Sequence, residues 1–407
     1  MVLPAVEKTV HYPSYNLRIR EIWFIYLIIS LFLNTRSRLK KSIVRANRLF
    51  FPIAFLYTTT MYDCMIKVAI NGYGTIGKRV ADAVAAQKDM KVIGVSKTRP
   101  NAEAFVAKQR GFPLYIADLS KKGAFEKAGL TVTGSVEDMC RAADVIVDAT
   151  PGDVGATNKP LYEKLGKKAL WQGGEEHDVA GFSFNSSCNY KDAIGRQFVR
   201  VVSCNTTGLC RIIHEIDKEY GVAHVHAIMV RRGSDPGEIK KGPIDAVVLD
   251  PVSVPSHHGP DVLTVLPHLS ITTMAMIVPT TMMHMHAIQI TTKKPVSRDR
   301  VIDLIKNHPR LGLIKKTLGI KSTAELKEFA MDLGRQRSDL WENCIFEESI
   351  YAHKNELCFF QAIHQEADVV VENIDAIRAM VGLEKDAAKS ILTTNAALGL
   401  NLIQNNH

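Results

Sequence analysis

"IKVAINGYGTIGKRVADAVAAQ", residues Ile66 to Gln87, decides the fold. Its first part, Ile66 to Asn71, is β-branched and apolar and reads as a buried strand. Gly72, Gly74 and Gly77 follow in G-x-G-x-x-G spacing, and the amphipathic stretch running past Ala86 reads as a helix. Each glycine has its own task. Gly72 permits the tight turn, Gly74 lets backbone approach a pyrophosphate, and Gly77 lets the helix pack close on the strand. The helix start then offers free N–H groups and a positive dipole end to the phosphates. An isolated glycine turn can carry the same spacing; the strand before it and the helix after it make this one a dinucleotide-binding prediction.

Working outward, a second strand, "MKVIGVS" (Met90 to Ser96), lies where an acid normally accepts from the 2′-hydroxyl of NAD ribose. This chain has Ser96, Lys97, Thr98 and Arg99 there instead. With no carboxylate in that stretch and two cations present, the corner suits a 2′-phosphate, so NADP is expected over NAD; the alternative is a solvated basic loop. Further on, Ser135 and Asp138 form an S-x-x-D capping box before a short helix, and Val145 to Ala149 read as another buried strand ending at Thr150-Pro151-Gly152. Strands alternating with helices build a Rossmann-type, doubly wound parallel sheet whose ligands lie outside its carboxyl edge.

The chain has 407 residues, of which 46% are hydrophobic and 23% charged, enough for roughly two domains with full cores. Its net charge of +9 is unevenly placed. Residues 1–64 hold nine Lys/Arg against three Asp/Glu, which leaves +3 for the remainder and gives nucleic-acid binding little support. The run "IWFIYLIISLFL", Ile22 to Leu33, is 12 residues long, whereas a spanning helix needs roughly 20. Basic "NTRSRLKK" follows it where a signal peptide would have its cleavage site. Residues 1–64 therefore read as an extension outside the fold, with Met61 or Met65 as the working start, and no membrane partner is expected. Seven cysteines without regular spacing point to a reducing cytoplasm rather than a disulfide scaffold.

In "RQFVRVVSCNTTGLCR", Arg196 to Arg211, a strand ends at Ser203 and a helix-like run begins at Leu209, so Cys204 stands at a strand-to-helix turn. There its sulfur would meet N–H groups that lower a thiol pKa and stabilise an oxyanion beside it. Cys210 falls inside the helix and reads as packing; a redox switch made of both sulfurs is the competing reading. Proton acceptors are offered by "VPSHHGPDV" (His257, His258) and "VPTTMMHMH" (His284, His286). Residues two apart on a strand share a face, so His284 and His286 with a third histidine could chelate zinc. Carboxylates are sparse nearby and hydride transfer needs no metal, so none is expected. Arg231 and Arg232 end a strand in "MVRRGSDPGEIKKGPIDAV"; adjacent strand residues face opposite ways, so one guanidinium is expected to enter the site and hold a phosphate.

Together, "INGYGTIGKRVADAV", "VVSCNTTGL", "VRRGSDP", "PSHHGPDV", "VPTTMMHMH" and "AIHQEADVVVEN" closely resemble the archaeal-type phosphorylating glyceraldehyde-3-phosphate dehydrogenases from Met65 onward. The resemblance implies a nucleotide domain of residues 65–203 plus about 365–407, and an α+β catalytic domain of 204–364. Its C-terminal helix would return to the nucleotide domain. It further implies Cys204 as nucleophile and His284 as base. Cys204, Asn205, Thr206, Arg231, His258 and Gly259 would face glyceraldehyde 3-phosphate and inorganic phosphate. Gly72, Gly74, Thr75, Ile76, Gly77, Lys97, Gly174, Arg232 and Gln365 would line NADP or NAD, and the enzyme would be a homotetramer. A related acyl-phosphate-forming aldehyde dehydrogenase, such as aspartate-semialdehyde dehydrogenase, is the alternative.

Overall fold

A computed structural model of the chain describes residues 65–172, 174–234 and 242–400. The reading of residues 1–64 as an extension lies outside the described residues.

The first sheet contains eight strands: β1 (Ile66–Asn71), β2 (Met90–Lys97), β3 (Leu114–Ile116), β4 (Gly134–Ser135), β5 (Val145–Asp148), β6 (Lys168–Gln172), β7 (Ser183–Phe184) and β8 (Phe198–Val201). Their order is β4-β3-β2-β1-β5-β6-β8-β7 and every pairing is parallel. The order reverses direction between β1 and β5, so the crevice at this switch point opens above the turns that follow those two strands. Val68, Ile70, Val145, Ile146 and Val147 are buried, as the apolar runs require of strands covered on both faces. The expected capping box is present: Ser135 accepts from Asp138 N–H, and Asp138 accepts from Ser135 N–H.

The second sheet is mixed. Its strands are β9 (Val222–Arg232), β10 (Val248–Leu249), β11 (Ile271–Val278), β12 (His284–Thr292), β13 (Leu311–Ile314), β14 (Asn343–Phe346), β15 (Tyr351–His353) and β16 (Glu356–Ile363). They run β10-β11-β9-β12-β16-β14-β13, with β15 paired to β16. In this register the carboxyl ends of β9 and β16 and the amino end of β12 share one edge, because His284 opposes Ile363 and Met285 opposes Val230.

Three helices matter for the site: α1 (Gly77–Ala86), α2 (Ala102–Gln109) and α3 (Cys204–Tyr220). Helix α4 (Val370–Val381) returns to the first sheet, contributing Val370, Ile374, Ile377 and Met380 to its core. Arg378 fastens it there, donating to Asp89 at 2.7 and 3.0 Å and to Gln87 at 2.7 Å.

Candidate active site

The glycine turn has the geometry its spacing predicts. Gly72 has φ +100°, a left-handed conformation that a side chain would strain, and a Cβ there would lie 2.7 Å from Ala149 backbone. A Cβ on Gly77 would come within 1.9 Å of the Gly72 carbonyl oxygen, which is the close helix-to-strand approach. On Gly74 it would meet nothing within 4 Å; that face of the turn is open. Ile76 is the N-cap residue of α1, with no side-chain cap and no acid in the first turn, so nothing of the chain's own competes for an anion there. Thr75 is held by Arg79, which donates to its carbonyl at 2.8 Å.

Strand ends around this turn are tied by a network that sequence reading missed. Gly72 N–H donates to Ser96 Oγ at 2.8 Å, and Ser96 donates to Asn71 Oδ1 at 2.7 Å. Asn71 then donates to Tyr162 Oη at 2.8 Å, and Tyr162 donates to Asp148 at 2.6 Å. Ser96 is thereby committed to the turn and is withdrawn from the 2′-phosphate corner. A Cβ on Gly152, after β5, would lie 3.5 Å from the Gly174 carbonyl oxygen, so Gly174 borders the same carboxyl edge. Gln365, between β16 and α4, is buried at 4% exposure, and its amide nitrogen and oxygen both lack a protein partner. A buried, unsatisfied amide is costly unless something pairs with it, and a carboxamide is the matching group. The open face at Gly74 and the orphaned amide of Gln365 fit a nicotinamide dinucleotide.

The corner at the end of β2 departs from expectation. Lys97 is no free cation: its Nζ donates to Glu103 Oε2 at 2.5 Å and to Tyr73 O at 3.2 Å. No carboxylate stands in the stretch Ser96 to Arg99, yet Glu103, in the first turn of α2, reaches back into this corner. A first-turn acid just after Asn101, the N-cap of α2, was the signal that could have found it.

Helix α3 begins five residues earlier than its apolar run suggests. Ser203 caps it, accepting from Thr206 N–H at 3.4 Å, and Cys204 is the first helical residue. Gly208 lets this helix close on the second sheet, since a Cβ there would lie 2.5 Å from Ile363 Cδ1. As Ile363 is the register partner of His284, that contact brings the start of α3 to the edge where β9, β12 and β16 end.

The expected lowering of the Cys204 thiol is overturned. Burial, then the Asp368 carboxyl, pushes it up to about 12 against the pull of Arg231, Arg232 and the Asn205 N–H. The helix start acts in the expected direction, but desolvation outweighs it. His284 is buried at 3% exposure, and burial, then Arg231, His286 and Arg232, holds it well below the usual histidine value, so the ring is neutral. Its Nδ1 accepts from Arg232 N–H at 3.0 Å.

Asn205, Thr206 and His258, expected around the substrate, turn their side chains inward. They are at most 2% exposed and each has internal partners. Thr206 donates to Asp261 at 2.5 Å. Asn205 accepts from His286 Nε2 at 2.8 Å and donates to His258 Nε2 at 3.1 Å. His286 Nδ1 in turn accepts from Gln361 at 3.1 Å, and His258 donates through Nδ1 to Ser256 at 3.1 Å. Both nitrogens of His286 and His258 are thus occupied, which leaves neither ring a lone pair for a metal. Gly259 N–H donates to Thr273 Oγ1 at 2.9 Å in the same cluster. This buried chain braces the first turn of α3 and hence the backbone at Cys204.

The strand alternation separates the two arginines, but both matter. Arg231 forms an ion pair with Asp250. Arg232 pairs with Glu366, next to Gln365, at 2.8 Å. The charge of both guanidiniums lowers the Cys204 thiol. Cys210 is fully buried in the core of the second sheet, in keeping with a packing role. Asp368, buried and without a side-chain partner among the described residues, raises the Cys204 thiol and is a candidate site residue that sequence reading did not single out.

Residues 203–332 match the family described as Glyceraldehyde 3-phosphate dehydrogenase, C-terminal domain, and residues 66–170 match Dihydrodipicolinate reductase, N-terminus. The chain is 86% identical over 343 residues to the glyceraldehyde-3-phosphate dehydrogenase of Methanoregula boonei, covering 84% of this chain and all of that one. It is 57% identical over 334 residues to that of Methanosarcina mazei (82% of this chain, 99% of the relative). Against that of Methanobrevibacter smithii it is 53% identical over 337 residues, 83% of this chain and 100% of the relative.

Proposed function

Because the chain belongs to the glyceraldehyde-3-phosphate dehydrogenases, we propose that it oxidises D-glyceraldehyde 3-phosphate with NADP or NAD and inorganic phosphate through a cysteine thioester at Cys204. The single observation that carries this is the sequence identity of 86% over the full length of a relative bearing that name. It also favours this reading over the aspartate-semialdehyde alternative.

Cys204 Sγ bonds to the aldehyde carbon and the thiol proton ends on the carbonyl oxygen, giving a thiohemiacetal. The Nε2–H of His284 donates to that oxygen as charge develops on it. When bound, the nicotinamide supplies the acceptor for the hydride that turns the thiohemiacetal into a thioester. The hydroxyl proton leaves to His284, whose neutral ring must first give up the bond from Arg232 N–H and carry its own proton on Nδ1, so that Nε2 is free to accept. Inorganic phosphate then breaks the C–S bond, releasing the acyl phosphate and restoring the thiol. Arg231 and the segments Asn205–Thr206 and His258–Gly259 border the phosphate groups. Gly72, Gly74, Thr75, Ile76, Gly77, Gly174 and Gln365 hold the dinucleotide, Arg232 positions the segment carrying Gln365, and Lys97 favours a 2′-phosphate and hence NADP.

The same proposal makes the working enzyme a cytoplasmic homotetramer. Along Ile244 to Val254, at the β10 edge, Ile244 and Val252 are each 80% exposed, and apolar surface of this extent calls for a second copy of the chain. Among the described residues no helix is long and apolar enough to cross a membrane.

Reduction of NADP that requires both glyceraldehyde 3-phosphate and phosphate, and that disappears in Cys204→Ser, is the expected result. Turnover with aspartate semialdehyde alone would overturn the substrate assignment.

A further inference from the structure

Lys97, the last residue of β2, stands where a dinucleotide fold meets the adenosine ribose. Its ammonium does not face an empty corner. Glu103 takes it at 2.5 Å through Oε2, and the other oxygen of the same carboxylate lies 3.7 Å from Lys78 Nζ in the first turn of α1. The side chains of Lys97, Lys78 and Glu103 are 11%, 23% and 26% exposed, so the trio is partly shielded from water. Asn101 also donates to Glu103, at 3.4 Å. Thr98 and Arg99, beside them in sequence, are exposed and add only a solvated cation and hydroxyl. The arrangement is a carboxylate bracketed by the two lysines that an incoming phosphate monoester would use.

We infer that Glu103 sets the dinucleotide preference, its carboxylate standing in for the 2′-phosphate between Lys97 and Lys78. A 2′-phosphate must displace or share this internal anion and meets like charge as it does so. An unphosphorylated ribose meets no such repulsion, and its 2′-hydroxyl can donate to the carboxylate, the role that an acid at this strand end plays in NAD-binding folds. Glu103 therefore works against Lys97, and NADP preference is held below what the two lysines alone would give. The inference rests on the reading of this corner as the 2′-phosphate site, and the test separates the two.

Calorimetric titration of the full chain with adenosine 2′,5′-bisphosphate and with adenosine 5′-monophosphate reads the corner without any reaction. In Glu103→Gln the Kd for the bisphosphate should fall by about three- to tenfold while that for the monophosphate stays level or rises, the size expected of one partly screened charge. A ratio of the two constants that does not move, or moves the other way, overturns the inference. Lys97→Met tests the underlying reading: the bisphosphate should bind more weakly, and an unchanged constant there means the corner takes no 2′-phosphate at all. Should Glu103→Gln fail to fold, Glu103→Asp, whose shorter side chain withdraws the carboxylate from Lys97, must shift the ratio in the same direction.

Discussion

The backbone N–H of Arg232 donates to Nδ1 of His284 at 3.0 Å, so the neutral ring carries its proton on Nε2. The tautomer of the proposed base is therefore set by the strand beside it. Burial and the neighbouring cations keep the ring neutral. In nitrogen-15 spectra of the cofactor-free protein, assigned by difference from His284→Gln, His284 should show the Nε2–H form throughout pH 5.5 to 8.5. A titration midpoint near the ordinary histidine value of 6.5 would refute this.

The thiol offers a second test. With Cys204 pushed up to about 12, its thiolate fraction is small at neutral pH and climbs about tenfold per pH unit. The second-order rate of alkylation by iodoacetamide, in the absence of cofactor and read in the difference between wild type and Cys204→Ser, should keep rising from pH 7 to 9. A plateau reached near pH 7 would show that the resting cysteine is already ionised.

Two glycines in one turn should fail in different ways. Gly74→Ala points its methyl into open space, so the protein should melt within a few degrees of wild type yet lose dinucleotide affinity by tenfold or more. Gly77→Ala drives a methyl to 1.9 Å from Gly72 O and must push α1 off the sheet, at a cost of about 1–3 kcal/mol in stability. Denaturant titration and ligand binding on the pair distinguish them, and equal stability losses would contradict the turn geometry.

Glu372 of α4 lies fully buried between Arg211 of α3, at 2.7 Å, and Arg310, at 3.1 Å. Burial pushes its carboxyl up, but Arg211, Arg310 and Ser186 outweigh that and hold it at about 2, below the ordinary 4.5. A folded-state value lowered in this way stabilises the fold fully above about pH 4.5, and that stability is lost as pH falls toward 2. Glu372→Ala leaves the buried Arg211 guanidinium without its carboxylate partner, while Arg310 keeps Asp375 at 2.5 Å, and should cost about 3–5 kcal/mol in urea unfolding at pH 7, with a smaller penalty at pH 3. The same penalty at both pH values would argue against the ion pair as its source.

Much of the architecture was legible because it is local. The β1 boundaries, the glycine turn, the Ser135–Asp138 box and the position of Cys204 just after a strand depend on near neighbours in the chain, and the structure reproduces each. Helix α3 shows the limit even there. The small polar residues Asn205 to Gly208 read as a turn, whereas the Ser203 cap and the contact of Gly208 with Ile363 make them helical.

By itself, then, the sequence determined the order of strands and helices, the nucleotide turn and which sulfur stands at a helix start, since steric and hydrogen-bonding rules act between near neighbours in the chain. Only the tertiary structure decided that Glu103 occupies the corner of Lys97, that Asn205 and His258 turn inward, that burial raises the Cys204 thiol and that His284 presents Nε2–H. Charge and desolvation sum over every group packed nearby, and those groups come from segments as distant as Cys204 and Asp368.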